Sequence, residues 1–571
     1  MKMATRIGVS LLVFSVLLSA CASPPARPGA TSGGAGETTV AAPKRIVAAI
    51  RGTTPILYRK LAVGASYSGL NYVERLVNAG LVTVDTQGAL LPQLAEAVPS
   101  VDNGLWKVFP DGRMETTWRI KPTARWHDGM PLTAEDIVFT ARVEQDKSLG
   151  WPNPNPAYDA IERVEAPDPS TVTISWKQPF VEADLMFAPT PSGGNGRALP
   201  LPRHLLERAY VEDPTRFLEL PYWGMEFMAS GPFKLRQMIP DERLLLVAND
   251  QYVLGRPKID EIDLRMIADS NTLIANIMAG EIDVTVDERA VSFEEARQLG
   301  EQWRGGRIEL GQGGVPGIQT QFLTPRPTIL SDVRFRRALL HAIDRQEMVD
   351  TIQGGLASIL HSVVGPDMME WPHVERSIVR YEYDPRRALQ MIEGLGYTRG
   401  SDGFLRDASG ERLNVEIRAT VTVINQKSAL AVQDYWQRIG VGVDFHNITI
   451  QRQGELEYMV TFPGFLLLRA ARTLTAFENQ HSSRAALPER NFAGINRSRY
   501  MNPEYDALID KYFLTIPFQE RMQVLGQILH HESDQLPTMR LFSDPEPTPV
   551  SNRLKNVPPA SPWNIHEWEV L

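Results

Sequence analysis

The stretch Arg125 to Thr140, RWHDGMPLTAEDIVFT, decides how this chain is read. Just before it, METTWRIKPT sets Trp118 and Ile120 at alternate positions among polar residues, the two-residue period of a half-buried strand. Asp128-Gly129 is a turn pair, and Pro131 keeps the chain from going on as a strand. Thr133 then stands where an N-cap belongs, with Asp136 three residues on to complete a capping box. Ile137, Val138, Ala141 and Val143 follow at roughly helical spacing. The stretch predicts a strand, a tight turn and a capped helix start. His127-Asp128 also joins two metal-ligating residue types, but one such pair in a turn is read as structural.

Working outward, the N-terminus sets the compartment. Lys2 and Arg6 form a short basic region, and Ile7 to Leu18 is mostly apolar but too short to anchor in a bilayer. Leu18-Ser19-Ala20-Cys21 follows and resembles the lipobox of bacterial lipoproteins. On that reading residues 1–20 are a signal peptide, and Cys21, the only cysteine, carries the lipid. An ordinary signal peptide with an incidental cysteine is the competing reading. Residues 22–43 are rich in Ala, Pro, Gly, Ser and Thr, so 21–43 is expected to be a lipidated cysteine and disordered linker. Folding should start near Lys44, where RIVAAI reads as a strand.

The chain has 571 residues, 43% hydrophobic and 22% charged, which is material for two or more lobes. A net charge of −9 argues against nucleic acid as the main partner. No later apolar run is long enough for a transmembrane helix.

Six or more further segments carry a resemblance. Trp126-His127-Asp128-Gly129-Met130-Pro131-Leu132-Thr133-Ala134 resembles the F-H-D-G-x-P-h-T-A segment (h apolar) of bacterial extracellular solute-binding proteins, family 5, the dipeptide, oligopeptide and nickel class. Leu91-Pro92-Gln93-Leu94-Ala95-Glu96, Ser230-Gly231-Pro232-Phe233-Lys234-Leu235 and Gly280-Glu281-Ile282-Asp283-Val284 are similar to family segments in the same order. So are LSDVRFRRALLHAID from Leu330, Tyr383-Asp384-Pro385 and Met501-Asn502-Pro503-Glu504. Within these, Ser331 is read as an N-cap, as are Asp344 and Asp384. Asn414 to Ala419, Ala429 to Ile439 and Val441 to Phe445 read as strand, helix, strand, an α/β order. The resemblance implies an α/β, two-lobed clamp like the periplasmic binding proteins, of the enlarged type, with mixed sheets. Lobe I would comprise 44–85, 206–317 and 541–571, with 86–205 as an inserted subdomain, and lobe II would be 318–540.

Signals for catalysis are weak, and the chain is read as no enzyme and as needing no cofactor. Gly64 to Gly69 only imitates a nucleophile elbow around Ser66, because position 68 is Ser rather than Gly. Gly311 to Gly317 is Gly-rich without a phosphate-loop lysine and reads as a loop. The ten histidines are scattered and leave no metal site in view.

In peptide-binding relatives an acidic residue after a strand of the α/β lobe holds the peptide's ammonium. The matching region here, Tyr458 to Arg469, contains no acid, and Arg472 follows. The resemblance and this departure together predict a solute other than an ordinary free-amine peptide: a less polar ligand, or one with an anionic group that Arg469 or Arg472 could fork. Candidate ligand-binding residues are Tyr67, Asn71, Asn78, Tyr222, Trp223, Gln319, Gln321, Phe462, Phe465 and Arg469. The function implied is that of a membrane-tethered, extracytoplasmic substrate-binding lipoprotein of an ABC-type importer. It would act as a monomer, close on a small or peptide-like ligand and hand it to permease subunits. A sensor or chaperone-like binding protein without a transporter is the alternative, and a hydrolase a more distant one.

Overall fold

The computed structural model describes residues 42–62, 69–152, 155–189, 197–287, 290–449, 451–559 and 561–571. The signal segment, Cys21, Ser66 and Tyr67 lie outside the described residues.

Regular structure begins at β1 (Arg45–Ile50), the RIVAAI segment. Helix α1 (Leu70–Val77) follows and buries every residue except Asn71. Strands β2 (Trp106–Val108), β3 (Met114–Arg119), β4 (Ile161–Asp168) and β5 (Thr171–Trp176) make an antiparallel sheet in the order β2-β3-β5-β4. Trp118 and Ile120 both point into its core, as their alternation requires.

The stretch between β3 and β4 folds as its sequence dictates. Helix α2 (Ala134–Gln145) starts with a capping box in which the Thr133 N–H donates to Asp136 at 2.8 Å. His127 is buried and locked to a second chain segment: its N–H donates to the Ala229 carbonyl at 2.8 Å, and its ring Nε2 lies 3.1 Å from the Gly231 carbonyl. Burial pushes the His127 pKa down to about 4, so the ring is a neutral bracket. Asp128 pairs instead with His204, at 2.8 Å.

Further along come β6 (Phe233–Ile239), β7 (Arg243–Ala248), β8 (Glu261–Met266), β9 (Val284–Thr285), α3 (Phe293–Gln302) and the 15-residue β10 (Gly306–Thr320). Then follow α4 (Val333–His341), α5 (Arg345–Ile352), β11 (Asn414–Thr420), α6 (Val423–Arg438), β12 (Gly442–Ile448) and β13 (Phe465–Ala470). Last come α7 (Pro503–Leu514), α8 (Phe518–Gln535), β14 (Thr538–Arg540) and β15 (Asp544–Ser551). One long mixed sheet runs β12-β11-β13-β10-β15-β9-β1-β8-β7-β6, with β14 beside β10. The β11-α6-β12 unit is parallel, as its strand-helix-strand order predicts.

Three readings are corrected. The Gly311–Gly317 run is strand, not loop: it lies in β10, whose ladder with β15 shifts register between Gly311 and Gly314. Glycine is needed there because a Cβ on Gly313 would run into the Asp544 carbonyl oxygen. Ser331 closes a short 3-10 turn, and the N-cap of α4 is Asp332, whose carboxylate accepts from Arg334 N at 2.8 Å. Helix α6 starts at Val423, earlier than Ala429, because Thr422 caps it through the Asn425 N–H.

Burial falls into separate cores. One joins β1, α1 and β6–β8 to the C-terminal residues Val550–Trp568. A second collects residues between Ile318 and Phe542, and a third fills the β2–β5 sheet against α2. Strand β10 links the first two: its first half pairs with β15 and its second half with β13. That geometry puts glycine-bordered backbone, rather than packed side chains, at the crossing.

Candidate functional site

A cavity of about 1540 Å³ opens at this crossing. Its floor is the β10 bulge, Gln312–Gly314, with Asp544–Pro547 of β15. One wall comes from the first turn of α3 around Glu294 and from Val84–Leu90 and Val181–Leu185 of the third core. The opposite wall is Thr420–Asn425 at the start of α6, Gln353 after α5, Met368–Glu370, and Tyr512 and Arg521 from α7 and α8. The walls touch at their rims. Lys427 of α6 pairs with Glu294 of α3 at 2.9 Å, and Val181 N donates to Phe513 O at 3.2 Å. The Lys427 hydrogen bond holds the Glu294 carboxyl below the usual carboxylate range.

The cations in this cavity are engaged. Arg469 donates from Nε to Asp544 at 2.6 Å and from Nη2 to Glu546 at 2.7 Å. Burial opposes its charge, but Glu546 and Asp544 outweigh burial and raise its pKa. Arg472 is forked by Asp367, at 2.6 and 2.7 Å, and Arg521 donates to the Ile516 carbonyl at 2.9 Å. Arg51 also has a partner. Two carboxylates, Asp184 and Glu370, form no ion pair among the described residues, and each accepts only from its own backbone N–H. Burial raises the pKa of both, that of Asp184 to about 7.

Of the described candidates from sequence, Arg469 alone lines the cavity. Its role differs from the expected one, since Asp544 and Glu546 already occupy its guanidinium. Gln321 is fully buried beyond the end of β10: its amide donates to Val460 and Phe462 carbonyls at 3.0 Å and accepts from Arg499. Gln319 sits in the ladder opposite Leu466 and Thr538. Phe462 and Phe465 are core, the latter 5.0 Å from the Trp436 ring. Tyr222 and Trp223 belong to an aromatic cluster with Tyr58, and their polar tips are satisfied by the Met228 and Phe217 carbonyls. Asn78 ends α1 and accepts from Ala79 N at 2.9 Å, while Asn71 is half-buried on the same helix away from the cavity.

Sequence reasoning passed over Asp184, Glu370, Gln353 and Asn425. Each stands alone in an unremarkable segment, and no spacing rule joins them. Among the described residues no group of three or more His, Cys, Asp or Glu is placed to hold a metal ion. Nor is any helix among them long and apolar enough to cross a membrane.

Comparison with known proteins places this geometry. The family described as bacterial extracellular solute-binding proteins, family 5 (middle region), matches residues 90–466. A Brucella ovis protein named for peptide binding in an ABC transporter is 28% identical over 277 residues, 48% of either chain. The match thus spans about half the length of that relative. The Bacillus subtilis oligopeptide-binding protein AppA is 23% identical over 440 residues, 76% of this chain and 74% of AppA. The AppA structure with a nonapeptide superposes at a TM-score of 0.67 and 20% identity, covering 93% of this chain and all 100% of AppA. NikZ of Campylobacter jejuni, solved with Ni(L-His), superposes at 0.70 and 19% identity, covering 92% of this chain and 99% of NikZ. These neighbours establish the fold as the two-lobed α/β periplasmic-binding-protein type. With the family match running through both walls of the cavity, the chain belongs to the bacterial extracellular solute-binding proteins of family 5.

Proposed function

We propose that this chain is the substrate-binding subunit of an ABC-type importer and that the cavity is its solute site. The observation that carries the proposal is the cavity itself: about 1540 Å³ at the crossing of β10 and β15, walled by separate cores and closed at the rim by Lys427–Glu294. A cleft whose walls meet at the rim through the Lys427–Glu294 ion pair and a few further contacts suits hinge closure over a solute. Lobe I would comprise 44–85, 206–317 and 541–571 with 86–205 inserted, and lobe II 318–540. The solute is peptide-like or another small molecule, in keeping with relatives solved with a nonapeptide and with Ni(L-His). Cys21 would carry the lipid that tethers a monomeric, extracytoplasmic body to the membrane, beside permease subunits. No catalysis is assigned.

The test is native mass spectrometry of the full chain from its own host, to identify the copurified solute. Uptake of that solute is then measured with and without the gene. Loss of uptake in the deletion strain is expected, and restoration by the intact gene. Unchanged uptake contradicts an importer role.

A further inference from the structure

We infer that the solute held in this cavity presents a cationic nitrogen, an ammonium or guanidinium, to Asp184 and Glu370, and further N–H donors to Gln353 and Asn425. The inference rests on the cavity being the solute site.

The argument is an account of unmet side-chain demand. Buried polar atoms nearly always find a partner, so each orphan in a binding cavity points to what is missing. Among the described residues that line the cavity, three buried side-chain atoms lack a hydrogen bond: Glu182 Oε1, Gln353 Oε1 and Asn425 Oδ1. Glu182 is ion-paired with Arg197 at 3.1 Å, which leaves the two amide oxygens. Gln353 is fully buried and Asn425 is 2% exposed. Each amide has committed its NH2 inside the protein, Gln353 to Asp544 at 2.7 Å and Asn425 to Thr420 at 2.6 Å, so both leave an acceptor over. Both line the same cavity, Gln353 just after α5 and Asn425 in the first turn of α6, and the two helices meet where Tyr435 donates to Glu347 at 2.7 Å.

The remaining charges have the same sign. Asp184 from one wall and Glu370 from the other have no ion-pair partner among the described residues, whereas Arg469, Arg472 and Lys427 are spent on carboxylates of the protein. Arg521 acts on both free carboxylates but keeps its hydrogen bond to Ile516 O. Around Tyr512, then, the carboxyls of Glu182, Asp184 and Glu370 outnumber the guanidiniums of Arg197 and Arg521 by one. An uncompensated charge in a closing cleft is costly unless the ligand neutralises it. Among the described residues, the unmet buried side-chain atoms of the cavity are thus acceptors, and the carboxyls without an ion pair add to them. A solute bringing N–H donors and positive charge satisfies them, whereas the lysine and arginines among the described lining residues are already hydrogen-bonded or ion-paired within the protein. This reverses the expectation drawn from Arg469 and Arg472. The acidic anchor that the Tyr458–Arg469 segment lacks is supplied by Asp184 and Glu370.

The test titrates the full chain calorimetrically with trialanine, agmatine and spermidine, against N-acetyl-trialanine and succinate. These arms separate a peptide amine, a guanidinium and a polyamine as the source of charge. At least one cationic probe is expected to bind ten times or more tighter than the acetylated or anionic probes. Asp184→Asn and Glu370→Gln should each weaken it by tenfold or more. Because Asp184 titrates near 7, affinity for that probe should rise about tenfold from pH 6 to pH 8, and Asp184→Asn should flatten the rise. The charged and titratable groups facing Asp184 are Glu182, Arg197 and Arg521, with Glu370 and Tyr512 beyond. A merely structural Asp184 would lower the thermal midpoint when neutralised, whereas relief of a desolvated charge leaves it unchanged or raises it. The inference is overturned if no cationic probe binds, if the acetylated or anionic probes bind as tightly, or if the copurified solute lacks a basic nitrogen. Binding of neutral or anionic solutes overturns this inference alone. Uptake that does not depend on the gene is what overturns the importer reading.

Discussion

Arg469→Met is expected to lower the unfolding free energy by about 3–5 kcal/mol, the range for removing one partner of a buried ion pair. Its guanidinium pairs with both Asp544 and Glu546, whose side chains are 13% and 8% exposed. Gln353 leans on the same Asp544, at 2.7 Å, and the β10 bulge packs on the guanidinium through Gly313 and Gly314. Loss of the arginine would remove the cation that both carboxylates share where β10, β13 and β15 meet. Urea unfolding followed by circular dichroism measures the effect. Adding Asp544→Asn and Glu546→Gln should recover most of it, because the penalty comes from carboxylates that have lost the guanidinium. A loss below about 1 kcal/mol, the value of a surface pair, would mean that Arg469 is a solvated side chain after all.

Gly231→Val is expected to prevent folding or to cost more than about 4 kcal/mol. Gly231 sits where the Ala229–Gly231 turn packs on the end of α1, its N–H donating to the Val77 carbonyl at 3.1 Å. A Cβ there would collide with the Val77 carbonyl carbon and the Asn78 nitrogen, and would lie 2.7 Å from the Val77 oxygen. All three are backbone atoms, so no rotamer change relieves the clash. The Gly231 carbonyl is also the shared acceptor of Asn249, at 3.0 Å, and a neighbour of the His127 ring. Moving the turn would therefore loosen RWHDG as well as α1. Soluble yield and the thermal midpoint report the outcome, and wild-type values for both would contradict this account of the turn.

Local signals carried the fold. The Thr133–Asp136 box, Asp344 and Asp384 as caps, and the β11-α6-β12 order are each decided by neighbours a few residues apart, and each reappears in the structure. Ser331 failed by a single position, because a carboxylate one residue on caps α4 instead. The site was less legible for a physical reason. An apolar or polar residue type tells that a side chain faces something, but not whether that surface is core or cavity. Phe462, Phe465, Tyr222 and Trp223 have the composition of a binding cleft and are core. Gln321 has the donors and acceptors of a ligand residue and spends them on Val460, Phe462 and Arg499. The groups that do line the cavity come from far apart in the chain: Glu294 meets Lys427, and Arg469 meets Asp544. Arg469 was found by its place in the family plan, and its partners were not, since nothing local marks residue 544 as its counter-charge.

The RWHDGMPLTAEDIVFT stretch has a settled place in this picture. It frames the third core and locks onto Ala229–Gly231, so its His-Asp pair belongs to the scaffold and not to the cavity. The solute would be met on the other side of that core, at Val181–Leu185.

The central claim, a two-lobed clamp that captures a solute at the β10–β15 crossing, is tested most directly by small-angle X-ray scattering of the full chain. Solute-free protein is compared with protein saturated, as judged by calorimetry, with its copurified solute. The account predicts a fall in radius of gyration on saturation, and a smaller fall in Lys427→Met, which lacks the ion pair to Glu294 at the rim. A radius of gyration unchanged at saturation would contradict it.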